Sequence, residues 1–286
     1  MGHVENEVTP FLKSRRAALD PAALGLPDGL VRRRVRGLRR EEVAARAGIS
    51  VDYYTRIEQG RAPAISEAVL DAVARALCLT DTEHTYLRNI THPGRRAAIG
   101  ACGSVDLPPV RPQLRELLDA LADHVPAVVY GPGTDLLAWN RLAARLAFDY
   151  DALPPADRNA ALMLFRHPDA RDFFPDWEQA AASTVSGLRA ELGSLPEHGR
   201  VNQVVWGLRE SSPDFRRLWD AQDVVDGPHG VKRINNPEVG ELLLTFGAFN
   251  VPAEPGVRLC TYTAPKGSPT EERLRLLATG LSAGAV

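Results

Sequence analysis

The chain is short of cysteine, lysine and long apolar runs, and each shortage narrows what it can be. Three cysteines stand in 286 residues, Cys78, Cys102 and Cys260. They are odd in number, far apart and never in Cys-x-x-Cys spacing. That argues against a disulfide framework and a zinc ligand set, and leaves small buried or half-buried thiols. No apolar stretch approaches the roughly 20 residues of a membrane span, so no membrane partner is expected. Met1 to Pro10 is acidic and lacks an apolar stretch, so no signal peptide is expected and the location reads as cytoplasmic, beside the nucleoid. The histidines His124, His167, His198 and His229 form no pair at helical i, i+4 spacing. No GxSxG, phosphate-binding glycine loop or HExxH occurs. Catalysis and a bound metal are therefore not expected, and no cofactor is required.

What is present is ordinary in bulk and uneven in distribution. Hydrophobic residues make up 44% and charged residues 24%, the balance of a soluble globular chain. The length suggests about two domains. From Phe11 to Arg61 there are 12 Lys+Arg against 6 Asp+Glu, whereas from Ala101 onward there are 18 against 24. A basic N-terminal segment on an acidic body suits a DNA reader joined to a domain with another partner. The only lysines are Lys13, Lys232 and Lys266. Arginine forks phosphate and guanine better than lysine does, although a GC-rich coding genome gives the same bias.

Five short helical patterns fill the first ninety residues: Phe11 to Leu19, Leu38 to Ala47, Val51 to Gln59, Ser66 to Leu77 and Thr82 to Ile90. His92 to Pro109 breaks the pattern and reads as a linker. The expected division is a DNA-binding domain over 1–100, a linker over 101–110 and a second domain over 111–286. That second domain opens with an amphipathic helix, Leu114, Leu117, Leu118 and Leu121. Strands Ala127 to Tyr130 and Leu136 to Trp139 follow across Gly131-Pro132-Gly133. The chain is then helical from about Arg141 to Asp220. Three strands close it, Val231 to Asn235, Leu242 to Phe249 and Val257 to Thr263, spaced for an antiparallel meander. A last helix opens at Ser268-Pro269-Thr270-Glu271, a capping box with proline at the first helical position.

The strongest signal is a helix-turn-helix between about Arg39 and Gln59. Val43, Ala44 and Ala47 form an inward stripe, and Ala44 lets a second helix pack close. Gly48 stands where the turn needs a positive φ. Ile49 plugs the corner, and Ser50 caps the second helix. On that helix Tyr54 and Ile57 face the core, which leaves Val51, Asp52, Thr55, Arg56 and Gln59 on the other side. Such a helix lies in the major groove with its first residues at base edges. Arg56 is suited to guanine O6 and N7, and Val51 to a thymine methyl. Asp52 either accepts from a cytosine amine or is simply a helix N-terminal acid. Tyr53 and Arg40 are placed for phosphates, Arg34, in the basic run before the motif, for the backbone or a minor groove, and Arg39, Ser50, Thr55 and Arg61 complete the candidate DNA contacts.

These residues also carry a resemblance. Leu38 to Arg61 resembles the XRE-type helix-turn-helix. The string Gly37-Leu38-Arg39-Arg40-Glu41-Glu42-Val43-Ala44, then Tyr53-Tyr54, then Glu58-Gln59-Gly60-Arg61, resembles bacterial regulators with a C-terminal MmyB-like ligand-binding domain. Val110-Arg111-Pro112, Leu136-Leu137-Ala138-Trp139-Asn140, Asp176-Trp177-Glu178, Ser212-Pro213-Asp214-Phe215 and Tyr262-Thr263-Ala264-Pro265 agree with it. Two imidazoles common in that family are replaced, by Gln222 and by Asn236 before Pro237. The resemblance implies an α+β chain: an all-α DNA-binding domain, then a PAS-like domain with a small antiparallel sheet. It also implies a small apolar ligand, fatty-acid-like, that tunes DNA binding. Trp139, Phe165, Phe174, Trp177, Trp206 and Phe246 are the aromatic candidates to line its site, or else plain core. Asn140 can meet a ligand head group or cap the helix after it; the cap is the simpler role. The expected partners are double-stranded DNA, a small-molecule effector and a second copy of the chain. The competing reading makes the C-terminal domain a dimerisation or protein-interaction module without ligand.

Overall fold

The computed structural model describes residues 7–26, 37–62, 64–91, 109–195, 198–222, 229–252 and 254–280. The chain forms two compact units. The first is residues 1–98, with the short stretches 193–196 and 220–224 grouped with it, and the second is the remainder. Arg34 and most of the expected linker lie outside the described residues.

The first unit is all helix: α1 (Val8–Ala18), α2 (Arg40–Ala47), α3 (Val51–Glu58), α4 (Glu67–Ala76) and α5 (Asp81–Thr91). Each helix buries a stripe at three- and four-residue spacing, as amphipathic helices must. On α1 these are Val8, Phe11 and Leu12, and on α4 Leu70, Val73 and Ala74. The Phe11 ring meets Tyr86 of α5 edge to face, with centroids 4.9 Å apart. Val43, Ala44, Tyr54 and Ile57 are all withdrawn from solvent, as the motif requires, while Ala47 and Ile49 are half-buried. Each fully buried aliphatic side chain of this kind stabilises by about 1.5–3 kcal/mol.

The second unit is a five-stranded antiparallel sheet with helices, so the chain is α+β as expected. Its strands are β1 (Ala127–Tyr130), β2 (Leu136–Trp139), β3 (His229–Asn236), β4 (Gly240–Asn250) and β5 (Arg258–Thr263). Their order is β2-β1-β5-β4-β3. The meander of β3, β4 and β5 forms as read, and β1 docks on β5, with Ala127 opposite Thr261 and Tyr130 opposite Arg258. Between β2 and β3 come α7 (Ala160–Arg166), α8 (Ala170–Phe173), α9 (Trp177–Ser194), α10 (Gly199–Ser211) and α11 (Pro213–Asp220). Before β1 stands α6 (Pro112–Leu121), and after β5 comes α12 (Pro269–Thr279). Ser268 caps α12 by accepting the Glu271 N–H at 3.2 Å.

Strand alternation gives the sheet two faces. One face, with Val128, Ile234, Leu242, Leu244, Cys260 and Tyr262, joins the larger core with Leu274 and Leu277 of α12. The other joins Ala127, Val129, Ala138 and Leu259 to Leu118 of α6.

The β1–β2 connection is held by a buried polar network. Asp135 is almost fully buried, and its carboxylate accepts twice from the Arg200 guanidinium, both at 2.7 Å. The Asn159 amide also donates to Asp135, at 2.7 Å, and to the Gly133 carbonyl at 2.8 Å. Thr134 holds a φ of +70°, a strained value for a residue with a Cβ. Its hydroxyl accepts the Ala161 N–H at 3.1 Å, which helps fix that conformation.

Candidate DNA-reading surface and aromatic core

Gly48 ends α2 with φ +68°, the left-handed cap that the motif predicts. At the other end of α2, the Glu42 carboxylate accepts the Arg39 N–H at 2.7 Å. Ser50 opens α3 by accepting the Tyr53 N–H at 3.1 Å. These caps set the angle between the two helices before any nucleic acid is present.

Arg39, Ser50, Val51, Asp52, Arg56 and Arg61 are exposed, while Tyr53 and Thr55 are half-buried at the margin. Val51 is 41% exposed, which water does not favour for an aliphatic side chain at a helix start. On α3 itself the exposed residues, Val51, Asp52 and Arg56, carry both charge signs and one apolar side chain. Arg40 is different. Its guanidinium is engaged by Glu58, with Nη2 2.7 Å from Oε1.

Glu58 is the residue that the sequence pattern did not bring out. It is fully buried at the end of α3 and joins three helices, accepting from Arg16 of α1 at 2.8 Å and from Arg40 of α2. Burial pushes its carboxyl up, but the two guanidiniums outweigh that and hold it below the usual carboxylate range. Its one local sign is that Tyr54, Ile57 and Glu58 share a helical stripe, while its partners Arg16 and Arg40 lie 42 and 18 residues away. Burial also pushes up the neighbouring Tyr54 hydroxyl, with the Glu58 carboxylate adding to the effect.

In the second unit, Phe174 and Trp177 lie in the larger core, with Trp139, Phe165 and Phe246 packed against it and half-buried. Trp139 meets Tyr150 edge to face at 5.4 Å, and Phe165 meets Trp177 at 5.6 Å. Trp177 is tied down by donating its indole N–H to the Leu164 carbonyl at 2.9 Å. Trp206 stands apart on α10, with Arg209 4.8 Å over its ring. Asn140 is buried and serves the backbone. It accepts from Ala127 and Ala143 N–H, at 3.1 and 3.0 Å, and donates to the Val125 carbonyl at 2.8 Å. The simpler of its two expected roles, the cap, is the one this geometry fits.

Two polar groups on the core side of the sheet have no counterpart among the expected site residues, Lys232 on β3 and Cys260 on β5. Burial pushes the Cys260 thiol up, away from thiolate, in keeping with an inert cysteine. Burial pushes the Lys232 amine down. Among the described residues no group of three or more His, Cys, Asp or Glu is placed to hold a metal ion. No described helix is long and apolar enough to cross a membrane.

Comparison with known families meets this division. Residues 11–87 match the model of a helix-turn-helix domain. Residues 110–277 match the MmyB-like transcription regulator ligand binding domain. No curated protein matches the chain. The second match covers more than half of the residues and takes in every strand of the sheet. The chain therefore belongs to the MmyB-like transcription regulators, with an N-terminal helix-turn-helix domain for DNA and a C-terminal ligand-binding domain.

Proposed function

We propose that this is a bacterial, XRE-type regulator that reads a specific DNA sequence with α3 and is tuned by a small apolar, fatty-acid-like ligand in a PAS-like second domain. The reading rests on the α3 surface, where Val51, Asp52 and Arg56 are exposed while Tyr54, Ile57 and Glu58 anchor the opposite side. In this reading α3 enters the major groove, Arg56 forks a guanine, Val51 meets a thymine methyl, and Arg39 and Arg61 grip phosphates. The protein works in the cytoplasm, on the nucleoid.

The test is selection of duplexes from a random pool by the full chain, followed by anisotropy titrations with and without dodecanoate. A recovered consensus whose affinity shifts with dodecanoate supports the reading. Recovery of unrelated sequences, bound with equal affinity, would remove sequence-specific recognition.

One observation favours an added role in pairing. On the sheet face away from the larger core, Val231, Leu243 and Phe249 are 59%, 48% and 60% exposed. A second copy covering that face would make the regulator a homodimer and give its operator two half-sites. Light scattering on the full chain and on Phe249→Asp decides it: a dimer that the substitution leaves intact excludes this face.

A further inference from the structure

The Glu58 carboxylate divides its two oxygens between two arginines. Oε2 accepts from Nε of Arg16 at 2.8 Å, and Oε1 accepts from Nε and Nη2 of Arg40 at 2.8 and 2.7 Å. The two arginines are otherwise unlike. The Arg16 side chain is 15% exposed and donates a further N–H to the Leu38 carbonyl, so protein holds it on two sides. The Arg40 side chain is 40% exposed, and Glu58 is its one partner among the described residues. Both of its bonds use the edge formed by Nε and Nη2, which leaves the Nη1 edge open.

Two guanidiniums on one carboxylate leave this cluster with a surplus of one positive charge. Glu58 is fully buried and meets nothing from outside the chain, so the surplus is offered outward chiefly by Arg40. A free arginine side chain gives up much of its rotamer entropy when a ligand fixes it. Glu58 fixes Arg40 before any ligand arrives, so that loss falls on folding and not on binding. The open edge is a planar fork, a geometry that pairs with phosphate oxygens. Arg40 is also the first residue of α2, and the first helix of such a motif crosses the DNA backbone.

We propose that Glu58 is a positioning residue for DNA, holding the Arg40 guanidinium by one edge so that its open edge meets a backbone phosphate. This rests on the DNA reading above and adds to it a residue that never touches the nucleic acid. Charge alone argues the opposite. An acid near a phosphate repels it, so deleting the acid would tighten binding. The two accounts therefore differ in sign.

The experiment is anisotropy titration of the full chain with the selected duplex and a scrambled one, from about 50 to 200 mM salt. It is run where circular dichroism shows each variant folded. Arg40→Met should weaken both duplexes alike, by about 10-fold, and reduce the salt slope by about one. Glu58→Gln should weaken binding by about 3- to 10-fold and keep the salt slope, since the cation remains. In the Arg40→Met background the same change should weaken nothing further, because no guanidinium is left to position. Unchanged affinity and salt slope in Arg40→Met overturn the phosphate contact and leave the DNA reading standing. Equal or tighter binding by Glu58→Gln overturns the positioning role, as does an equal loss in both backgrounds. If Glu58→Gln does not fold, Arg40→Lys decides. An ammonium paired with Glu58 has no second edge, so Arg40→Lys should bind as weakly as Arg40→Met, and full affinity overturns the proposal. Binding of neither duplex by folded wild type removes the DNA reading and this inference together.

Discussion

Arg16 of α1 reaches the Glu58 carboxylate at the far end of α3, Nε to Oε2 at 2.8 Å, where Glu58 has no contact with water. Arg16 also donates to the Leu38 carbonyl at 2.8 Å. One guanidinium therefore ties α1 to both ends of the helix-turn-helix.

This pairing sets a pH dependence. The folded Glu58 carboxyl titrates below its ordinary range, so its stabilisation is present above the unfolded value and is lost as pH falls through the folded one. Glu58→Gln should destabilise the first unit by about 2 kcal/mol at neutral pH and flatten its acid limb below about pH 4. Hydrogen exchange of the α3 amides measures this. All four tryptophans lie in the second unit, so their fluorescence should not follow the change.

Arg56→Ala should lower discrimination between the selected duplex and random DNA by about 1–3 kcal/mol if Arg56 reads guanine. Equal weakening on both duplexes would instead assign Arg56 to phosphate. Salt titrations separate the two, because loss of a phosphate contact reduces the salt slope by about one.

Gly48→Ala should cost about 1–2 kcal/mol, since a Cβ at φ +68° is strained even though open space surrounds it. Thermal unfolding checks the size. The absence of any neighbour within 4 Å predicts a purely conformational penalty, with no repacking of Tyr54 or Ile57.

Asn140→Ala should destabilise the second unit by about 3 kcal/mol by orphaning buried backbone groups. Ligand affinity of the folded fraction should stay unchanged. A loss of affinity without a loss of stability would restore Asn140 as a head-group contact.

Asp135→Asn should cost about 3–5 kcal/mol, because it breaks a buried pair with Arg200 and leaves that guanidinium without its anion. Urea unfolding followed by tryptophan fluorescence reads the second unit directly.

Local chemistry was legible in the chain and long-range pairing was not. Gly48, Ser50 and Ser268 act through neighbours one turn away, so spacing alone reveals their role. The three C-terminal strands alternate clearly enough to be read as a meander. The docking of β1 on β5 joins residues some 130 apart, and no periodicity encodes that. Glu58 and Arg200 have the same origin, since a charged side chain reads as surface until its partner is placed in space. Arg40 shows the converse: an exposed-looking arginine on the motif is already engaged by a buried acid.

The strand order carries a consequence for the life of the nascent chain. Helix α5 ends at Thr91, but β5, which bridges the two halves of the sheet, ends only at Thr263. At about 5–20 residues per second, roughly 10–35 seconds separate their synthesis. The five helices of the first unit are synthesised well before the five-stranded sheet can close. For that interval each new molecule carries a helix-turn-helix domain without a completed ligand-binding domain.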